Sequence, residues 1–171
     1  MRKKFSKDVE MTCNKLLTNF FAMNQKCDNM AYALDTYLNC SQAAKVYHLK
    51  FAHQFPSDTY ADKFSEVLAH EGITPYRYAQ QDDMVKYDDI AQLFTKNFEN
   101  VWELKQNILE AIEILDYDRE NKVIVVALED MVANISVLVH QAEVWAQKAK
   151  SYVADGKVYK FDIDFEEFTE I

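Results

Sequence analysis

Glycine and proline are almost missing from this chain: Gly72, Gly156, Pro56 and Pro75 are all it has in 171 residues. Turn-rich β architectures need such residues at short intervals, so their scarcity points to a few long helices. Cysteine is sparse and odd in number, with Cys13, Cys27 and Cys40 far apart. No C-x-x-C pair and no zinc spacing is present, which excludes a disulfide framework and predicts reduced thiols. Basic residues are also short, 19 against 28 acidic, for a net charge of −9. A nucleic-acid partner needs the opposite balance and is not expected. No uninterrupted run of about 18 apolar residues occurs, so no segment is expected to span a membrane. Met1-Arg2-Lys3-Lys4 begins like a signal peptide, but Asp8, Glu10, Asn14 and Lys15 break the apolar stretch that should follow. A cytoplasmic protein is the expectation. Internal repeats, a P-loop, a Rossmann fingerprint and a Gly-x-Ser-x-Gly elbow are all absent.

What is present is a long-range hydrophobic period, in a chain whose apolar content of 49% suffices for one core. Val9, Cys13, Leu16, Phe20, Met23, Cys27, Met30, Leu34 and Tyr37 recur in alternating steps of four and three. That is the seam of a bundle helix, predicted over about 7–38. A second helix is predicted over about 42–71, with Ser41 as its N-cap and Ala44, Tyr47, Phe51, Phe64, Val67 and Leu68 inward. Pro56 falls inside it, so a kink or a fresh start is expected at Ser57-Asp58, and continuity stays open. Gly72 suits the C′ position, with Pro75 just beyond. Residues 73–86 form a long connector, as needed to keep two helices parallel. A third helix, about 88–115, carries Ile90, Phe94, Asn97, Val101, Leu104, Ile108, Ala111 and Leu115. A fourth, about 122–153, carries Ile124, Leu128, Met131, Ile135, Leu138, Ala142, Trp145, Ala149 and Tyr152.

The expected fold is therefore all-α, an antiparallel four-helix bundle over 1–155 with a long crossover between helices two and three. After Gly156 the period drops to two. Tyr159, Phe161, Ile163 and Phe165 alternate with charged residues, which predicts an extended tail over 156–171 with one apolar face. That face should pack on the bundle or a neighbouring subunit, or take a protein partner.

Several stretches carry a family resemblance. Ser41-Gln42-Ala43-Ala44-Lys45, then Tyr47, Phe51 and His53-Gln54, closing at Gly72, is similar to the second helix of ferritins. Leu93-Phe94, Gln106 and Glu110 fit the third helix of bacterial ferritins. Lys157-Val158-Tyr159-Lys160-Phe161-Asp162 with Glu166-Glu167-Phe168 resembles the tail of bacterial non-haem ferritins. The stress-protection mini-ferritins are the nearest alternative, through Tyr47-His48 and Asp62-x-x-x-Glu66. The resemblance implies a ferritin-like bundle, a homo-oligomer and iron as the possible metal.

It also implies a di-iron oxidation centre, with a Glu on helix one, Glu-x-x-His on helix two, a Glu on helix three, and Gln or Glu on helix four. In this chain those positions fall on Met23, on Ser57 and Tyr60, on Val101, and on Ala133, Asn134 and Val137. Iron needs hard anionic oxygen ligands, which these residues do not supply. No catalytic residue and no cofactor-binding residue is therefore expected, and the preferred function is a non-catalytic oligomeric structural or binding module. The alternative is an iron-storage subunit without its own oxidation centre; a redox enzyme with a non-standard site is the third class.

Other groupings are thinner. Asp62, Glu66 and His70 share one helix face and are the candidate metal site, at the surface or an interface. His48 and His53 are five apart, which is not one helix face. Glu110, Glu113 and Glu129 are candidates for a displaced carboxylate site. Met23, Met30 or Met131 could ligate haem at a dimer seam, though filling gaps in the core is the usual use of methionine. His140 is expected at a helix edge.

Overall fold

The computed structural model describes residues 4–81 and 84–171. The charged start Met1–Lys3, and Asp82 and Asp83 of the connector, lie outside the described residues.

Six α-helices follow one another: α1 (Lys7–Asp35), α2 (Ser41–Lys50), α3 (Ala61–Glu71), α4 (Ile90–Leu115), α5 (Lys122–Ala154) and α6 (Val158–Asp164). No strand occurs among the described residues. Four columns form the bundle, with α2 and α3 stacked end to end as the second. The predicted seams are its interior: all of the α1 stripe from Val9 to Leu34 is buried, and so are all eight stripe positions of α4. Tyr37, assigned to the first stripe, lies past the end of α1 and is exposed.

Each terminus explains its helix. Ser6 accepts a hydrogen bond from the Val9 N–H at 3.2 Å and caps α1, and Asp89 does the same for Gln92 on α4 at 2.8 Å. Gly72 ends α3 in the left-handed region at φ 91°, with the Ile73 N–H closing back on Leu68 O at 2.8 Å. Ser41 is not a cap. It is the first helical residue of α2, behind Cys40. The capping oxygen comes from far along the chain: Asp162 Oδ1 accepts from the Ala43 N–H at 2.7 Å across 119 residues.

The second column is broken, and earlier than Ser57. α2 stops at Lys50, a 3₁₀ turn spans Ala52–Gln54, and regular helix resumes only at Ala61. Pro56 has no N–H and its ring crowds the carbonyl four residues back, so the damage runs upstream of the proline. Polar side chains absorb the loose ends. Gln54 Nε2 donates to Lys50 O at 2.6 Å, and the Ser57 hydroxyl donates to Gln54 O at 2.7 Å.

The connector lies along α1. Asn14 Nδ2 donates to Thr74 O at 3.2 Å and Asn14 Oδ1 accepts from the Tyr76 N–H at 2.8 Å. Thr18 Oγ1 accepts from the Tyr78 N–H at 3.0 Å, and Tyr37 Oη from the Tyr87 N–H at 3.0 Å. From Asn14 to the end of α1 at Asp35 is roughly 32 Å of helix, and the chain from Thr74 to Tyr87 can reach roughly 43 Å when extended. The described parts of the connector are thus fastened near opposite ends of α1, and α4 starts beside the start of α2, parallel to it.

The tail overturns the extended expectation. Val158–Asp164 is helical. Phe161 and Phe165 are buried, whereas Tyr159 and Ile163 are 69% and 59% exposed. The apolar set that matters is Phe161, Phe165 and Phe168, at i, i+4 and i+7, which is a helical spacing. The four alternating residues are thus split between core and solvent, and only Tyr159 and Ile163 remain available to a partner. Gln141 fastens the end of the chain, donating to Phe168 O at 2.9 Å and accepting from the Glu170 N–H at 2.6 Å.

The stretch Arg119–Ala154 is long and apolar enough to cross a membrane by length and composition, with a mean hydropathy of 1.8 in its most apolar window. It is not an uninterrupted apolar run, since Glu129 and Asp130 fall inside it. α5 buries one stripe from Ile124 to Ala149 and also carries Val123, Val126 and Val137 outside it. A core helix with a second, outward apolar set reaches that hydropathy without any change in its packing.

Candidate functional site

The bundle interior is where a ferritin-type centre would lie, and its contents are largely apolar. Met23, Tyr60 and Val101, matched to ligand positions on helices one, two and three, are buried. Ser57 sits half-buried in the turn before α3, with its hydroxyl committed to Gln54 O. The helix-four matches fail geometrically: Ala133 and Asn134 are exposed, and Val137 is 57% exposed. Met131, Ile135 and Leu138 hold the inward positions at that level. The period-3.5 stripe located the interior correctly, whereas the matched family positions slipped onto the outer face.

Among the described residues no Asp, Glu, His, Lys or Arg is buried; the buried polar side chains are Asn14, Thr18, Asn97, Asn100, Asn121 and Gln141. Asn97 marks a polar focus in the bundle interior. Tyr47 Oη donates to Asn97 Oδ1 at 2.7 Å and lies 3.5 Å from Met30 Sδ. Cys27 adjoins the same hydroxyl. The Asn97 amide nitrogen has no hydrogen-bond partner, and neither does the buried Tyr60 hydroxyl.

These groups are neutral. Burial pushes the Cys27 thiol up to about 12, and the Tyr47 phenol well above its ordinary value. Cys13 rises to about 12 and Cys40 to about 11, again through burial first. A thiol held protonated is a poor nucleophile at neutral pH. The focus can hold a protein-internal hydrogen bond, but it offers no anionic oxygen to a hard cation.

Around it runs a continuous aromatic wall. Tyr47 stacks on Phe51 at 5.3 Å, Phe51 meets Phe55 at 5.3 Å, and Phe55 stacks on Tyr60 at 5.6 Å. Trp145 meets Tyr47 at 5.7 Å and stacks on Phe165 of the tail at 5.0 Å. Such pairs add about 0.5–1.5 kcal/mol each beyond the area they bury.

The surface groupings separate. Asp62, Glu66 and His70 lie on an exposed face of α3. The first and last are roughly 12 Å apart along the axis, too far to converge on one ion. Among the described residues no group of three His, Cys, Asp or Glu side chains is placed to hold a metal. Glu110, Glu113, Glu129 and His140 are exposed. Met23, Met30 and Met131 are buried in the protein's own core. His48 and His53 are the reverse case. They were set apart by ideal helix spacing, yet their rings meet edge to face with centroids 4.4 Å apart. The missed signal was Pro56, whose disruption of the helix reaches back to the turn between them.

No family model matches the chain, and no curated protein is similar to it by sequence. Among solved structures, an open-pore ferritin from the hyperthermophilic archaeon Archaeoglobus fulgidus superposes with a TM-score of 0.75, covering 99% of this chain and 99% of that one at 17% identity. The fold is ferritin-like. Superposition over nearly the whole of both chains includes the tail, so the ferritin-like fold extends past α5 to the chain's last helix.

Proposed function

We propose that this chain is a ferritin-like bundle without a di-iron oxidation centre, acting as an oligomeric structural or binding module. The observation that carries this reading is the interior, where no carboxylate and no imidazole is buried among the described residues. Fe(II) oxidation needs hard, charged ligands converging from several helices. Met23, Tyr60, Val101 and Ile135 are buried in this interior, and none of them is a hard anionic ligand. Three buried free thiols fit a reducing compartment, and we place the protein in the cytoplasm.

The test is Fe(II) addition in air, followed optically, with the particle mass taken by light scattering on the same sample. We expect oxidation at the buffer rate and a defined homo-oligomer. Oxidation well above the buffer control overturns the first half of the proposal, and a monomer at every concentration overturns the second. A storage subunit that accumulates iron without oxidising it is the second reading. It is favoured by the net charge of −9 and by an open groove between α3 and α5 lined by Asp58, Glu66 and Asp130 beside Lys63. A cage-sized particle that retains iron after gel filtration would select it.

A further inference from the structure

His48 closes the last turn of α2, and His53 lies in the 3₁₀ turn that follows. On an unbroken helix, residues five apart point roughly 140° away from each other. The break after Lys50 cancels that divergence and brings the rings to 4.4 Å. On its other side, His48 meets α1: its Nε2 lies 3.3 Å from Asp28 Oδ1. That oxygen has no contact with solvent and no aligned hydrogen-bond donor, a deficit that a firmly oriented N–H would remove. Nδ1 of His48 and both ring nitrogens of His53 make no hydrogen bond within the described residues. The sequence in space is carboxylate, imidazole, imidazole. It is the arrangement in which a carboxylate takes one ring nitrogen of a histidine and leaves the other free to ligate.

We propose that His48 and His53 form a surface site for a divalent late transition metal, zinc or copper. His48 ligates through Nδ1, His53 through a ring nitrogen, water completes the shell, and Asp28 holds the Nε2–H of His48. Imidazole nitrogen suits both metals, and the absence of a hard oxygen ligand on the ion selects against magnesium and calcium. The site needs no third protein ligand, which agrees with there being no group of three ligating side chains among the described residues. Solvent reaches it, since the His48 and Asp28 side chains are 39% and 28% exposed and His53 is exposed. Binding at Nδ1 fixes the remaining proton on Nε2, so the ion and the buried Asp28 oxygen stabilise the same tautomer. The site is on the surface and stands whether or not the interior oxidises iron.

The test is a zinc titration of the metal-free full chain against a chromophoric chelator, with imidazole nitrogen NMR on the same samples. One equivalent should bind, with His48 metallated at Nδ1 and protonated at Nε2. His48→Ala and His53→Ala should each weaken binding at least tenfold. Asp28→Ala should weaken it about 10- to 100-fold, the usual range for a partner that orients a ligand. His70→Ala and His140→Ala should leave it unchanged. His53, His70 and His140 are exposed, and His48 and Asp28 half-buried; far-UV circular dichroism confirms each fold before titration. Zinc affinity unchanged in His53→Ala or in Asp28→Ala overturns the proposal. So does wild-type binding no tighter than that of the His48→Ala/His53→Ala double variant.

Discussion

The Tyr47–Asn97 pair allows a sharp energetic test, because it can be removed in halves or as a whole. Both residues have no solvent exposure, and their hydrogen bond measures 2.7 Å. Tyr47→Phe deletes the donor and leaves the Asn97 oxygen stranded beside an amide nitrogen that already lacks a partner. An abandoned buried polar group costs about 1–3 kcal/mol, and that is the expected loss. Asn97→Leu is nearly isosteric and acts in two directions. It strands the Tyr47 hydroxyl against sulfur, with Met30 Sδ at 3.5 Å, a weak acceptor. It also deletes the unpartnered amide nitrogen, so its cost should fall below that of Tyr47→Phe. The double variant leaves only the weakly polar Cys27 thiol at this point and should lie within about 0.5 kcal/mol of the parent, or above it. The coupling between the two sites should then be about 1 kcal/mol or more, well beyond the scatter expected of independent sites. Urea unfolding, followed by circular dichroism and by fluorescence of the adjacent Trp145, gives all four stabilities, with the m-value as a check that the unfolded state has not changed. A double variant whose loss equals the sum of the two single losses would refute the pairing.

The tail and the thiols make two further claims. Phe161→Ala should cost about 3–5 kcal/mol, as expected for a buried ring, and Ile163→Ala under about 0.5 kcal/mol, as at an ordinary surface site. Equal losses in thermal unfolding would restore the extended arrangement with both residues on one face. Cys13 and Cys27 are raised from 9.0 to about 12, so above pH about 9 the unfolded chain releases thiol protons that the folded chain retains. Stability should be complete below that point and decline between about pH 9 and 12. Cys13→Ser/Cys27→Ser should flatten that decline; an unaltered slope in the urea midpoint across this range would count against it.

Helix positions were legible in the sequence wherever one period ran for many turns. The α4 stripe from Ile90 to Leu115 is buried without exception, because a seam of that length fits no other structure. The tail was misread because it is short. Over seven residues, Tyr159, Phe161, Ile163 and Phe165 satisfy a period of two while Phe161, Phe165 and Phe168 satisfy a helix, and only docking against Trp145 and Phe94 decides between them. The helix-four ligand positions lie out of register with the inward stripe of Met131, Ile135 and Leu138, because family spacing does not carry the rotation of this helix. Asn97 was visible as a polar residue in an apolar seam, but its partner was not, since spacing along one helix says nothing of the register between two. His48 and His53 were dismissed on ideal helical geometry that Pro56 removes.

Asp162 places the cap of an early helix late in the chain. The Ala43 amide receives its carboxylate partner from a residue 119 positions later. At about 5–20 residues per second, the cap leaves the ribosome roughly 6–24 s after the helix it completes. During that interval α2 emerges as a short, uncapped helix already weakened downstream by Pro56, and α1 has only part of its partner surface. A cap contributes about 1 kcal/mol, so α2 is expected to gain its full stability only when α6 docks.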